Sequence, residues 1–174
     1  MAIIKPANLH PDAYFTHYIN LAEGNDLLPS LESSKAQTIR VLESISSRQE
    51  GYRYAPKKWT VKQVFQHIND TERIMAYRAL RFLRKDITEL KGYNEDDFAT
   101  EDSSEELSLA AIQSEYVAIR EATIQLFENA NIDNIDFVGT ANQVKLTPRM
   151  IGWIIVGHSV HHQNVIHDRY LNND

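Results

Sequence analysis

Thr147-Pro148-Arg149-Met150-Ile151-Gly152-Trp153-Ile154-Ile155-Val156-Gly157-His158-Ser159-Val160-His161-His162 is the stretch on which the reading of this chain turns. Thr147 suits a helix N-cap, and Pro148 suits the first helical position, where its missing N–H is not needed. No further proline follows, so the pattern predicts one helix from Pro148 to about Leu171. Ile151, Ile154 or Ile155, His158, His162 and Val165 form its inward face. His158 and His162 are four apart and lie one turn apart on the same face, the spacing at which two imidazoles grip one ion. His161 competes for that place, since residues three apart also share a face. Its direction differs from that of His162 by about 100°, so only one of the two points fully inward. A third imidazole from a facing helix would complete a three-histidine site with an open coordination position.

Working outward, three more long helices can be read. One starts at the N-cap Thr60 and runs to about Lys85, with Val61, Val64, Phe65, Ile68, Ile74, Met75, Leu80 and Phe82 apolar and His67 on or beside that stripe. Another spans about Ser104 to Asn129 and carries Leu109, Ile112, Tyr116, Ile119, Thr123, Leu126 and Phe127. The earliest runs from about Leu27 or Ser30 to Arg48, after a short helix or turn around Asp12 to Ala22. The segment from Asp86 to Asp102 reads as a long acidic loop, and Asn131 to Leu146 as irregular with a short hairpin around Gly139-Thr140-Ala141-Asn142. With no internal repeat and no change of composition, residues 1–174 read as a single all-α domain, a four-helix bundle.

Composition narrows the function. A net charge of -6 lacks the basic footprint of a nucleic-acid binder. There is no cysteine, so disulfides, thiolate ligands and a cysteine nucleophile are all excluded, and any metal must be held by His, Asp, Glu or water. No secretory pattern is visible in Met1 to Pro11, and no apolar run is long enough to cross a bilayer. A cytoplasmic protein with no membrane partner is the expectation.

The polar residues around the histidines have plain readings as well. An i,i+4 histidine pair near a helix end also serves as packing or as positive charge at the C-terminus. Against that, three uncharged imidazoles inside a bundle are costly unless each finds a partner, and a shared metal satisfies all three. Asp70 and Glu72 lie within about a turn and a half of His67. They are surface acids, or they orient a ligand imidazole and take a proton from a bound water. Arg78, Arg81 and Lys85 form a basic row that reads as a solvated face or as an anion-binding rim at the mouth of the bundle. His10, His17 and His167 read as surface or packing residues.

Tyr54-Ala55-Pro56-Lys57-Lys58-Trp59-Thr60-Val61-Lys62-Gln63-Val64-Phe65-Gln66-His67-Ile68-Asn69-Asp70-Thr71-Glu72-Arg73, with Ala76-Tyr77-Arg78-Ala79-Leu80-Arg81-Phe82 after it, resembles the second-helix region of the DinB/YfiT-like superfamily. Gly157-His158-Ser159-Val160-His161-His162 is similar to the same family's last-helix motif, with Ser159 in place of a frequent acidic residue. The resemblance extends to Ala22-Glu23-Gly24-Asn25-Asp26-Leu27-Leu28 and to Lys91-Gly92-Tyr93-Asn94-Glu95-Asp96-Asp97. It implies a four-helix bundle, usually a homodimer, with a divalent metal on three histidines. By position these are His67, His158 and His162. The family includes metal-dependent hydrolases and thiol transferases, which implies a small-molecule substrate. Three neutral ligands leave the ion's charge uncompensated, so an anion or a deprotonated group is drawn to it. Zinc or nickel suits such a site, because imidazole discriminates poorly among divalent ions. The rival reading is a non-catalytic bundle in which a metal with a fourth protein ligand, Asp70, Glu72 or His161, staples two helices.

Overall fold

The structure is a computed structural model that describes residues 2–7 and 14–171. His10 and the start of the expected first turn at Asp12 lie outside the described residues. Helix α1, Thr16–Leu21, is short, and α2 follows as Leu27–Ser44. The second long helix, α3, is Val61–Leu83, opened by a complete capping box: the Thr60 side chain accepts from the Gln63 N–H, and the Gln63 side chain accepts from the Thr60 N–H. A short helix α4, Glu95–Glu101, precedes α5, Leu109–Glu128, whose N-cap is Ser108. Strands β1, Gly139–Ala141, and β2, Val144–Leu146, form an antiparallel hairpin. The last long helix, α6, is Pro148–Ile166, with the Thr147 side chain accepting from the Met150 N–H, and it passes into a π-helical segment, His167–Leu171.

The long helices α2, α3, α5 and α6 make the bundle: α3 packs on α5 and α6, and α2 packs on the same two. The surprise is α1, which lies along α6. Its close approach explains Gly157, since a Cβ there would run into the Tyr18 backbone carbonyl. With α1, α2 and α3 around it, α6 has no solvent face from Ile151 to Ser159; every residue there is buried. The single inward stripe expected of this helix is therefore too narrow.

Each long helix is apolar at both ends and polar in the middle. One apolar cluster gathers Leu27, Leu31, Phe82, Phe127, Trp153 and Ile155, and a second gathers Leu42, Val64, Ile68, Ile112, Tyr116 and Ile166. Between them in sequence lie the buried Ser34 and Thr38 of α2, Asn69 and Glu72 of α3, Arg120 of α5, and His158, Ser159 and Gln163 of α6. This polar waist is where the chemistry is concentrated.

Several boundaries differ from the sequence reading, each for a local reason. α2 stops at Ser44, not Arg48, because Ile45 turns extended and Gln49 Oε1 accepts from both the Ser46 N–H and its hydroxyl, competing with the helix. The acidic loop contains α4: Asn94 caps it by accepting from the Asp96 N–H, and Glu95, Asp96 and Asp97 occupy the first turn, where the helix dipole favours acids. The hairpin turns through Asn142 and Gln143, both at positive φ (48° and 63°), the pattern of a two-residue type I′ turn. Phe82 and Tyr116 are completely buried and fill the core. No helix among the described residues is long and apolar enough to cross a membrane.

Candidate metal centre

His67 projects from the middle of α3, and His158 and His162 project one turn apart from α6. The three side chains meet: His158 Nε2 lies 3.1 Å from His67 Nε2 and 3.1 Å from His162 Nε2, and one ligand atom from each lies within 4.8 Å of the others. His161 turns away and packs its ring edge-on to Tyr18 and His17 of α1. The Trp59 ring tilts over His67, with centroids 4.8 Å apart.

All three imidazoles are driven toward the neutral form. Burial is the main cause for each, followed by repulsion from neighbouring histidines: His161 for His67, where Asp96 works the other way, His162 for His158, and His67 for His162. The net effect holds His67 down at about 4, and both His158 and His162 well below the usual histidine value. Neutral imidazole is the form that ligates a metal. Three Nε2 atoms aimed at one another have at most one useful hydrogen bond per contact, so a divalent ion satisfies them better than they satisfy one another. The donor set fits such an ion. Three neutral nitrogens suit zinc or nickel, and no carboxylate among the described residues hydrogen-bonds the cluster. His162 Nδ1 is buried without a partner, so this ring lacks the outer hydrogen bond that commonly fixes a ligand histidine.

The two acids next to His67 in sequence go elsewhere. Glu72 is buried and forms a bidentate pair with Arg120, at 2.7 and 2.8 Å, on the α5 side of α3. Arg120, itself completely buried, also donates to the Leu31 carbonyl, Ser34 and Ser159. Asp70 accepts from Gln66 and faces Arg73, and it lines a separate groove with Glu101 and Glu115. The structure therefore brings the three histidines together and neither carboxylate with them. Ser159, where the family motif often has an acid, supplies a hydroxyl to Arg120.

The cluster opens on a cavity of about 100 Å³ that reaches His67 and His158. Its walls come from parts the sequence reading did not connect to the site: Tyr18 of α1, Tyr93 from the loop before α4, and Asn142 of the hairpin turn. Arg78 lines it as well. The basic row of α3 is thus divided: Arg78 is buried at the cavity, Arg81 is tied to Asp86 and Tyr77, and Lys85 is exposed beyond the end of the helix.

Residues 30–166 match the DinB superfamily. Among solved structures the chain is similar to YfiT from Bacillus subtilis, described as a probable metal-dependent hydrolase with an unusual four-helix bundle topology. The two share 18% identity with a TM-score of 0.72 over 94% of this chain and 90% of the other, a likeness of fold. No curated protein matches the chain.

Proposed function

The chain belongs to the DinB superfamily, and from that premise we propose that His67, His158 and His162 hold one divalent ion, zinc or nickel, with a position left open for chemistry on a small molecule. The observation that carries this reading is the convergence of the three Nε2 atoms beside a cavity that His67 and His158 line. A cavity that reaches two of the three imidazoles favours an open site over the closed, four-ligand arrangement of a structural metal. The description of YfiT as a probable metal-dependent hydrolase supports hydrolysis as the reaction, with thiol transfer as the other option for such a centre.

A divalent ion held there would supply Lewis acidity, lowering the pKa of a water or thiol brought to it. The chain's own contribution is placement and exclusion. Packing of α1 onto α6 brings Tyr18 over His158, with ring centroids 5.4 Å apart, and covers that side of the site. The Tyr93 hydroxyl, 2.9 Å from Thr71 Oγ1, fixes the opposite wall. Glu72 acts in this reading as the counter-charge of Arg120 and holds α3 to α5, so it positions His67 through the helix and handles no proton. Twofold association of the chain, which the family resemblance implies, is part of the proposal, and light scattering at micromolar concentration that finds only monomer would remove it.

Elemental analysis of protein purified without a histidine tag tests the centre. One divalent ion per chain is expected, lost in His67→Ala and His162→Ala and kept in His161→Ala. Full occupancy in both of the first two variants would overturn the assignment. Hydrolytic or thiol-transfer activity that survived complete removal of the ion would overturn the catalytic half of the reading.

A further inference from the structure

Arg78 is the one member of the basic row that faces the histidine cavity, and it is only 5% exposed. A guanidinium carries five N–H donors and cannot shed its charge. Arg78 gives one of them to the Lys91 carbonyl at 3.1 Å and another to the weak acceptor Met75 Sδ at 3.8 Å. No carboxylate among the described residues pairs with it. Glu95, the acid that lines the same cavity, is exposed at its outer edge. The bundle's other buried arginine shows what this fold does with a guanidinium that has only a structural role: Arg120 has a bidentate acid and three further acceptors. Burial lowers the pKa of Arg78, and only Tyr93 works against that.

The placement of Arg78 relative to the histidines gives the site a length. His67, Thr71 and Arg78 share one face of α3, at i, i+4 and i+11, over about 16 Å of helix axis. Helical side chains lean toward the N-terminus, and the contact of Arg78 with Met75 shows it reaching back toward Thr71 and His67. A void of about 100 Å³ remains, smaller than the ~150 Å³ cavity that accommodates benzene. That admits only a few heavy atoms.

We propose that this cavity binds the anion of a short-chain carboxylic acid, its carboxylate held by the Arg78 fork and its chain directed along the cavity toward His67 and His158. The planar fork matches a carboxylate with two parallel hydrogen bonds. One guanidinium balances one negative charge, which favours a carboxylate over phosphate, whose charge at neutral pH is about −1.5 to −2. The reacting end of this ligand rests on the metal-centre reading; the carboxylate end does not.

Chemical-shift titration of metal-free and zinc-loaded protein with propionate, with propionamide as its neutral counterpart and with inorganic phosphate tests the site, zinc content being measured separately. Metal-free wild type is expected to bind propionate saturably and propionamide not at all. Arg78→Gln should weaken propionate at least about tenfold, Arg78→Lys should lose part of the affinity, and Arg81→Gln should match wild type. Equal binding by Arg78→Gln and wild type, no saturation in wild type, or equal binding of propionamide would overturn the proposal. Tighter binding of phosphate than of propionate would overturn its carboxylate class. If Arg78→Gln does not fold, the Arg78→Lys variant and the propionate and propionamide pair in wild type decide the matter alone. Propionate held by Arg78 in protein that takes up no zinc would end the metal reading and leave this site standing. Zinc uptake without Arg78-dependent binding would do the reverse.

Discussion

The polar waist of this bundle has two sides that solve the same problem in opposite ways. Toward α5, Glu72 and Arg120 close on each other with Ser34, Ser159 and the Leu31 carbonyl, and every strong donor of the arginine is used. Toward α1 and the hairpin, two histidines of the trio and Arg78 line a cavity with their capacities partly unspent. Both sides are carried by the same stretch of α3, where His67, Thr71 and Arg78 face one way and Asn69 and Glu72 the other. The first side is a fastening. The second leaves donors and acceptors open to a cavity.

The largest effect should come from unfastening the closed side. Arg120→Met leaves Glu72 buried and unpaired and is expected to cost about 3–5 kcal/mol in chemical denaturation. Adding Glu72→Gln should recover much of that loss, because the stranded charge is gone. A small effect of Arg120→Met would erase the distinction between the two sides.

Next is acid. In metal-free protein the folded state keeps His67 neutral down to about 4, while the unfolded chain protonates it from the ordinary value of 6.5. The stability tied to neutral His67 is therefore complete above pH 6.5 and is lost as pH falls through about 4. The loss is on the order of 3 kcal/mol for this residue alone, and the depressed values of His158 and His162 push in the same direction. Denaturation midpoints that stay flat between pH 7 and 4 would show that the open side is not a set of buried neutral imidazoles.

Arg78→Met sharpens the contrast at smaller scale. It removes an unpaired buried charge and one good hydrogen bond, so a loss below about 1 kcal/mol is expected. A loss as large as that of Arg120→Met would mean that Arg78 is a fastening too. Smallest of all, Arg81→Gln breaks a half-buried pair with Asp86 at the solvent edge and should shift the denaturation midpoint least.

The long helices and the histidine pair of α6 were legible in sequence because their signals are local, whereas His67 was placed with them by the family resemblance. Thr147-Pro148 and Thr60 with Gln63 mark helix starts within four residues, and His158 and His162 are placed by the helical period alone. Asn94 before three acids was an equally local signal for α4, outweighed by the loop-like composition around it. Arg120 was legible in retrospect: it falls on the row Ile112, Tyr116, Thr123, Phe127, where a charge at a seam position requires a buried partner. Pairing it with Glu72, 48 residues away, needed the packing of α3 on α5. The cavity was not legible, since its walls come from α1, the segment before α4 and a hairpin turn that touch only in the folded chain.

The buried run from Ile151 to Ser159 bears on how this protein can diversify. In α3 and α5, tolerance to substitution should rise and fall with the helical turn, but in α6 a saturation scan should find one unbroken intolerant block through His158 and Ser159. Variation that alters ligand choice and keeps the fold cannot easily enter through that helix. It is left to Tyr14, Gly92, Glu95 and Asn142, wall residues of the cavity just before α1, on the segment around the start of α4 and in the hairpin turn. Relatives that share the histidines should therefore differ in ligand by differing at this rim, with the inner end of the pocket inherited as a fixed part.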